Sequence, residues 1–127
     1  MTVPYLLTMG WAWFLLGAVS GALLGLGYHR EDWWGGYGSW RRRMARLGHI
    51  SFFGTGFLLL AAGLTASAAG FAPGWIGPAL AAGAVGMPLF CFLSAWRKPW
   101  RHGFAVPVVG LTAGCVGMLF HLIGVAA

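Results

Sequence analysis

Four stretches of roughly 20 residues each, 5–26, 48–70, 75–96 and 104–126, are apolar and contain no Asp, Glu, Lys or Arg. That length is what a helix needs to cross the ~30 Å hydrocarbon layer of a bilayer. Lipid offers the backbone no hydrogen-bond partner, so the spanning structure open to such a stretch is an α-helix. The composition agrees: 59% of residues are hydrophobic and only 8% are charged, far from the usual ~25% charged of soluble domains. The sequence therefore predicts a single-domain, all-α membrane protein, a four-transmembrane-helix bundle of two antiparallel hairpins.

The net charge of +6 could belong to a nucleic-acid binder, but its placement points elsewhere. Arg30, Arg41, Arg42, Arg43 and Arg46 fall between the first two spans, and Arg97, Lys98 and Arg101 between the last two. The remaining segments outside the spans carry no basic residue. Basic loops are retained on the cytoplasmic side, where anionic lipid attracts them, so both termini are expected on the non-cytoplasmic side. Trp33, Trp34, Tyr37 and Trp40 accompany the first basic loop, and Trp96 and Trp100 the second. Amphipathic rings at such positions are expected to meet lipid headgroups. The arginine-rich character, with Lys98 the lone lysine, fits a bacterial inner membrane, and nucleic acid is not an expected partner. The first span has no preceding basic residue and exceeds the ~7–15 residues of a signal core, so it reads as a retained helix. Ser39-Trp40-Arg41-Arg42 and Ala95-Trp96-Arg97-Lys98 share a faint likeness, explained by duplication or by the interface's own preference for Trp-Arg.

Helix association in lipid depends on close packing, which small residues permit. Gly17, Gly21 and Gly25 recur at four-residue spacing in the first span, and Gly110, Gly114 and Gly117 lie along the fourth, continuing to His121. In the second span His49, Phe53, Gly56, Leu60 and Gly63 share one stripe. Both intramembrane histidines are thereby expected to face neighbouring helices. Pro78 near the start of the third span and Pro88 near its middle interrupt it. Pro88 is expected to kink the helix by removing one backbone hydrogen bond, opening backbone carbonyls to a cofactor or to a partner's side chain.

The only acids are Glu31 and Asp32, in the first basic loop. Ion-coupled transport relies on an intramembrane ionisable residue, and without a carboxylate in any span this class is disfavoured. Histidine is the remaining candidate. His29 and His102 sit in the basic loops as headgroup contacts. His49 and His121 lie about 20 Å or more apart along the membrane normal at 1.5 Å per residue, too far to ligate one haem from its two faces. His121 would need an outer-face partner such as Met9. His49 with Arg46 could instead donate to a quinone carbonyl or a lipid phosphate. Cys115, Met118 and His121 form a soft-ligand set suited to Cu(I), although Cys91 and Cys115 read first as small core residues and are placed too far apart for a disulfide.

No nucleotide-binding, zinc-protease, haem-attachment or nucleophile-elbow motif is present, and no catalytic constellation is found. The expected role is a non-catalytic accessory or scaffold subunit of a larger membrane complex, respiratory or photosynthetic, with lipids and other membrane subunits as partners. The alternative is an electron-transfer module holding haem, quinone or copper through His49 or His121.

Overall fold

The computed structural model describes residues 1–126, with side chains described for residues 1–124. These residues are helical throughout, with turns and without strands. Helix α1 spans Val3–Tyr28, α2 Trp40–Ala68, α3 Ile76–Trp96 and α4 Ala105–Ala126; short 3-10 turns occupy Trp33–Gly35 and Lys98–Phe104. All four helices are long and apolar enough to cross a membrane. Even α3, with 21 residues, extends about 31 Å at 1.5 Å per residue.

The helices follow the apolar spans closely except at α2, which begins at Trp40 instead of Gly48. The segment Trp40–Leu47, expected as loop, adds two helical turns. Ser39 is the reason: its backbone is extended and its Oγ accepts from the Arg42 amide at 3.2 Å, a helix N-cap, and WRRRMARL contains nothing that opposes helix.

At its other end α2 stops in a Schellman turn. Gly70 takes φ +71°, Phe71 N–H donates to Ala66 O at 3.0 Å and Gly70 N–H to Ser67 O at 3.3 Å. A side chain at Gly70 would strain the left-handed backbone that this pattern requires.

Each helix packs on the next in sequence, α1 on α2, α2 on α3 and α3 on α4. Leu6, Leu59, Ala62, Ile76, Leu80 and Ala84 form the buried core where α1, α2 and α3 meet, with Met1, Met9, Trp13, Leu58 and Met118 packed around it. α3 is the most enclosed helix, and α1 and α4 are the least buried.

Pro78 falls in the first turn of α3, where no backbone bond is lost. Pro88 lies in its interior and cannot donate to Ala84 O, yet the helix continues through it. The freed Ala84 carbonyl accepts instead from Trp13 Nε1 on α1 at 2.9 Å. An indole thus takes the place of the missing amide and joins α1 to α3.

Candidate functional site

The first turns of α2 collect the polar chemistry of the molecule. Arg42 was expected among the headgroup-facing basic residues, but it is only 4% exposed and lies beneath the α1/α2 loop. Its Nη2 donates to Arg30 O at 2.5 Å and Tyr28 O at 3.4 Å, and its Nη1 to Glu31 O at 3.3 Å. The guanidinium lies over the rings of Tyr28 and Trp33, 5.3 and 5.8 Å from their centroids. The physical reason is the end of α1, whose last carbonyls have no helical partner. A guanidinium is both a fork of donors for them and a favourable charge at a helix C-terminus.

Trp40 and Trp33 are likewise drawn inward. Trp40 Nε1 donates to Ser94 O at 2.8 Å, a carbonyl in the last turn of α3 that has no helical acceptor duty left. Trp33 packs on Gly27, where a β-carbon would come within 2.5 Å of its ring, and stacks on Trp34 at 4.3 Å. Trp34 is exposed and has φ +56°. Arg41, Arg43, Arg97, Lys98 and Arg101 are exposed, with Arg97 lying 5.0 Å over the Trp96 ring.

Arg46, one turn beyond Arg42, sits 4.2 Å above the Tyr37 ring and donates to Tyr37 O at 3.3 Å. Together Tyr28, Tyr37, Arg42 and Arg46 line a hollow of about 290 Å³, near the lower limit of ~300 Å³ for small-molecule sites. The hollow contains two guanidiniums and two phenols and no carboxylate. Tyr37 was expected among the headgroup-facing aromatics, but neither it nor Tyr28 was expected to line a site with Arg42 and Arg46. The available signal was the N-cap at Ser39, which puts Arg42 and Arg46 at i, i+4 on one helical face.

His49 belongs to a different environment. Its Nδ1 lies 3.3 Å from Ser20 Oγ, whose own hydrogen is directed to Gly17 O at 3.0 Å. This pattern assigns the imidazole proton to Nδ1, leaving Nε2 with the lone pair. Nε2 is pressed against Gly21, 3.0 Å from where a β-carbon would stand, and Phe53 closes the ring from one edge. For Nε2 to reach a metal or haem iron, α1 would have to withdraw. Arg46 points to Tyr37 instead of sharing a ligand with His49.

His121 departs from expectation. It is exposed, and its ring meets Phe71 of the α2/α3 connection at 3.9 Å between centroids. Gly117, one turn earlier, already packs on Trp75 and Ile76 at the start of α3, so α3 has ended before His121 is reached. Cys115 is also exposed, whereas Cys91 is buried. Cys115 and Met118 line one apolar groove with Leu58, Ala62, Thr65 and Leu122, while His121 lies outside it. Among the described residues no group of three or more His, Cys, Asp or Glu side chains is arranged to hold a metal. His29 and His102 are exposed in the loops.

The glycines divide between contact and open space. Gly17 meets Phe53 and Gly21 meets His49, but Gly25 has nothing within 4 Å of its β-carbon position. The expected continuation fails because four residues overshoot a helical turn by about 40°, whereas seven return to within about 20°. The contact face of α1 therefore runs through Gly10, Gly17 and Leu24, all buried. On α4, Gly110 meets the backbone of α3, Gly114 meets Leu80 and Gly117 meets Trp75.

Comparison with protein families, curated proteins and solved structures finds no match to this chain.

Proposed function

We propose that the chain is a non-catalytic accessory or scaffold subunit of a larger membrane complex, respiratory or photosynthetic, carried in a bacterial inner membrane. In this reading α1/α2 and α3/α4 are antiparallel hairpins whose basic loops are cytoplasmic and whose termini are outside. Contact order supports the hairpins. Gly21, Gly17, Gly10 and Leu7 meet His49, Phe53, Leu60 and Gly63 in turn, and Gly86, Gly83, Leu80 and Ile76 meet Pro107, Leu111, Gly114 and Gly117. The glycines at these contacts support close packing as the means of assembly.

The observation that carries the accessory role is the groove between α2 and α4. It encloses about 280 Å³, is bordered by Leu58, Ala61, Leu80, Cys115, Met118 and Leu119, and is left unfilled by the chain's own side chains. Small residues on its floor suit a transmembrane helix of another subunit, with lipid covering the remaining apolar surface.

Cys115 supplies the test, since it is exposed and borders the groove while Cys91 is buried. A membrane-permeant thiol cross-linker applied to native membranes should join Cys115 to one stoichiometric membrane protein, identified by mass spectrometry, and Cys115→Ser should abolish the product. Cross-links only to lipid, or to many proteins in proportion to their abundance, would refute the role.

The pairing of Cys115 with Met118 in that groove favours, as a second reading, a copper- or cofactor-binding electron-transfer module. Metal analysis and an absorbance spectrum of the same purified sample discriminate between them. A haem band or stoichiometric copper that disappears in Cys115→Ser would displace the scaffold reading.

A further inference from the structure

We propose that the hollow between Tyr28, Tyr37, Arg42 and Arg46 is a phosphate-binding site. The charge balance is the first argument. Arg42 and Arg46 stand at i, i+4 in the opening turns of α2, where like charges repel. The carbonyl end of α1 offsets part of the Arg42 charge, while Arg46 has Tyr37 O as its acceptor. No acidic residue occupies the first turn of α2, and none lines the hollow. All three acceptors of Arg42 are neutral backbone carbonyls, Glu31 among them through its carbonyl and not its carboxylate. The arrangement concentrates positive potential that an anion would relieve.

The second argument is the number of donors held ready. A guanidinium has five N–H groups. Arg42 uses three of them, and its Nε is buried without an acceptor. Arg46 uses one, on Tyr37 O. Both forks are already oriented, Arg42 by the end of α1 and Arg46 by stacking on Tyr37, so little rotamer freedom remains to be lost when an oxyanion arrives. Planar donor forks match phosphate oxygens in geometry as well as charge. The Tyr28 hydroxyl donates to Arg42 O at 3.5 Å, so Tyr37 is the phenol of the rim that can donate to an ester or terminal oxygen. A carboxylate offers fewer oxygens to four converging side chains, and the volume of about 290 Å³ accommodates a phosphate with part of what it is esterified to.

The phosphate can come from an anionic lipid headgroup or from a free phosphate, and the site is independent of whether the chain has a protein partner. The full-length protein, reconstituted in nanodiscs of phosphatidylcholine containing phosphatidylglycerol, allows a direct comparison. Arg42 is left intact because its removal strands three carbonyls. Arg46→Gln removes one charge from the hollow, and Arg43→Gln removes the same charge from an exposed position on the same helical turn. Native mass spectrometry should show phosphatidylglycerol retained by the wild type and by Arg43→Gln, and retention weakened about tenfold in Arg46→Gln, the equivalent of one lost charge-assisted hydrogen bond. Calorimetric titration with inorganic phosphate, in nanodiscs of phosphatidylcholine alone, identifies the other source. Binding lost in Arg46→Gln, with no selective retention of phosphatidylglycerol, assigns the site to a free phosphate. Equal loss in the two variants would show only diffuse attraction to the basic surface and overturn the proposal, as would absence of binding to both probes.

Discussion

Most contact glycines of both seams receive side chains, but Gly17 of the α1/α2 seam meets the Phe53 ring, whereas Gly110 of the α3/α4 seam meets the backbone of Ala79 and Gly83. A β-carbon at Gly17 would lie 2.8 Å from Phe53 Cε2, and one at Gly56 would lie 2.9 Å from the Phe14 ring. A β-carbon at Gly110 would instead lie 2.8 Å from Ala79 O and 3.0 Å from Gly83 N. Aromatic rings can tilt by a few tenths of an ångström, but a helix backbone moves only as a unit. In the first seam aromatic rings fill the notches at Gly17 and Gly56, with Phe14 packed on both Phe53 and Phe57. At Gly110 the second seam sets the backbone of α3 directly against α4, and its carbonyl and amide atoms make that point less forgiving.

The largest effect expected from this difference is at Gly110. Gly110→Ala should lower stability by about 3 kcal/mol, the upper part of the range for overpacking a tight contact, as read by SDS-induced unfolding in mixed micelles. Gly17→Ala should cost about 1 kcal/mol in the same measurement, because Phe53 can yield. Equal costs at the two positions would remove the distinction between the seams, and a larger cost at Gly17 would reverse it.

The same contrast shows what the sequence could disclose. Long charge-free runs located the four helices, because lipid imposes length and apolarity on every residue of a span. The stripe of His49, Phe53, Gly56, Leu60 and Gly63 was legible too, and its members His49, Phe53, Gly56, Leu60 and Gly63 all meet α1. Gly25 was not, since a step of four residues drifts off a straight helix's contact face while Gly10 and Leu24 stay on it. His121 was on the right face of α4, but where α3 begins relative to it depends on the length of the α2/α3 connection.

The basic loop was the least legible region. Composition marks its arginines and tryptophans as interfacial, and Arg41, Arg43 and Trp34 are exposed. Arg42, Trp40 and Trp33 are drawn inward by carbonyls and ring faces at helix ends, partners that exist only after α1, α2 and α3 are assembled. Ser39 was the one local sign that Trp40–Leu47 is helical and that Arg42 and Arg46 share a face. The candidate site was therefore half visible: Arg46 was singled out, but with His49 instead of with Tyr28, Tyr37 and Arg42.

The smallest expected effect concerns the bond that joins the two seams, Trp13 Nε1 to Ala84 O at 2.9 Å. Ala84 O is available because Pro88, four residues on, has no amide hydrogen. Trp13→Phe keeps an aromatic ring at the position and removes the donor, and should cost about 0.6 kcal/mol, the average for hydrogen bonds between membrane helices. Pro88→Ala restores a helical donor to the same carbonyl, so in that background Trp13→Phe should cost much less. The change in packing around the buried Pro88 cancels in a double-mutant cycle, because it is common to both Pro88→Ala variants. A coupling near 0.6 kcal/mol would identify the proline-freed carbonyl as the reason α1 is held against α3. Zero coupling, with Trp13→Phe equally costly in both backgrounds, would assign the effect to the indole's size and leave contact area alone to join the two seams.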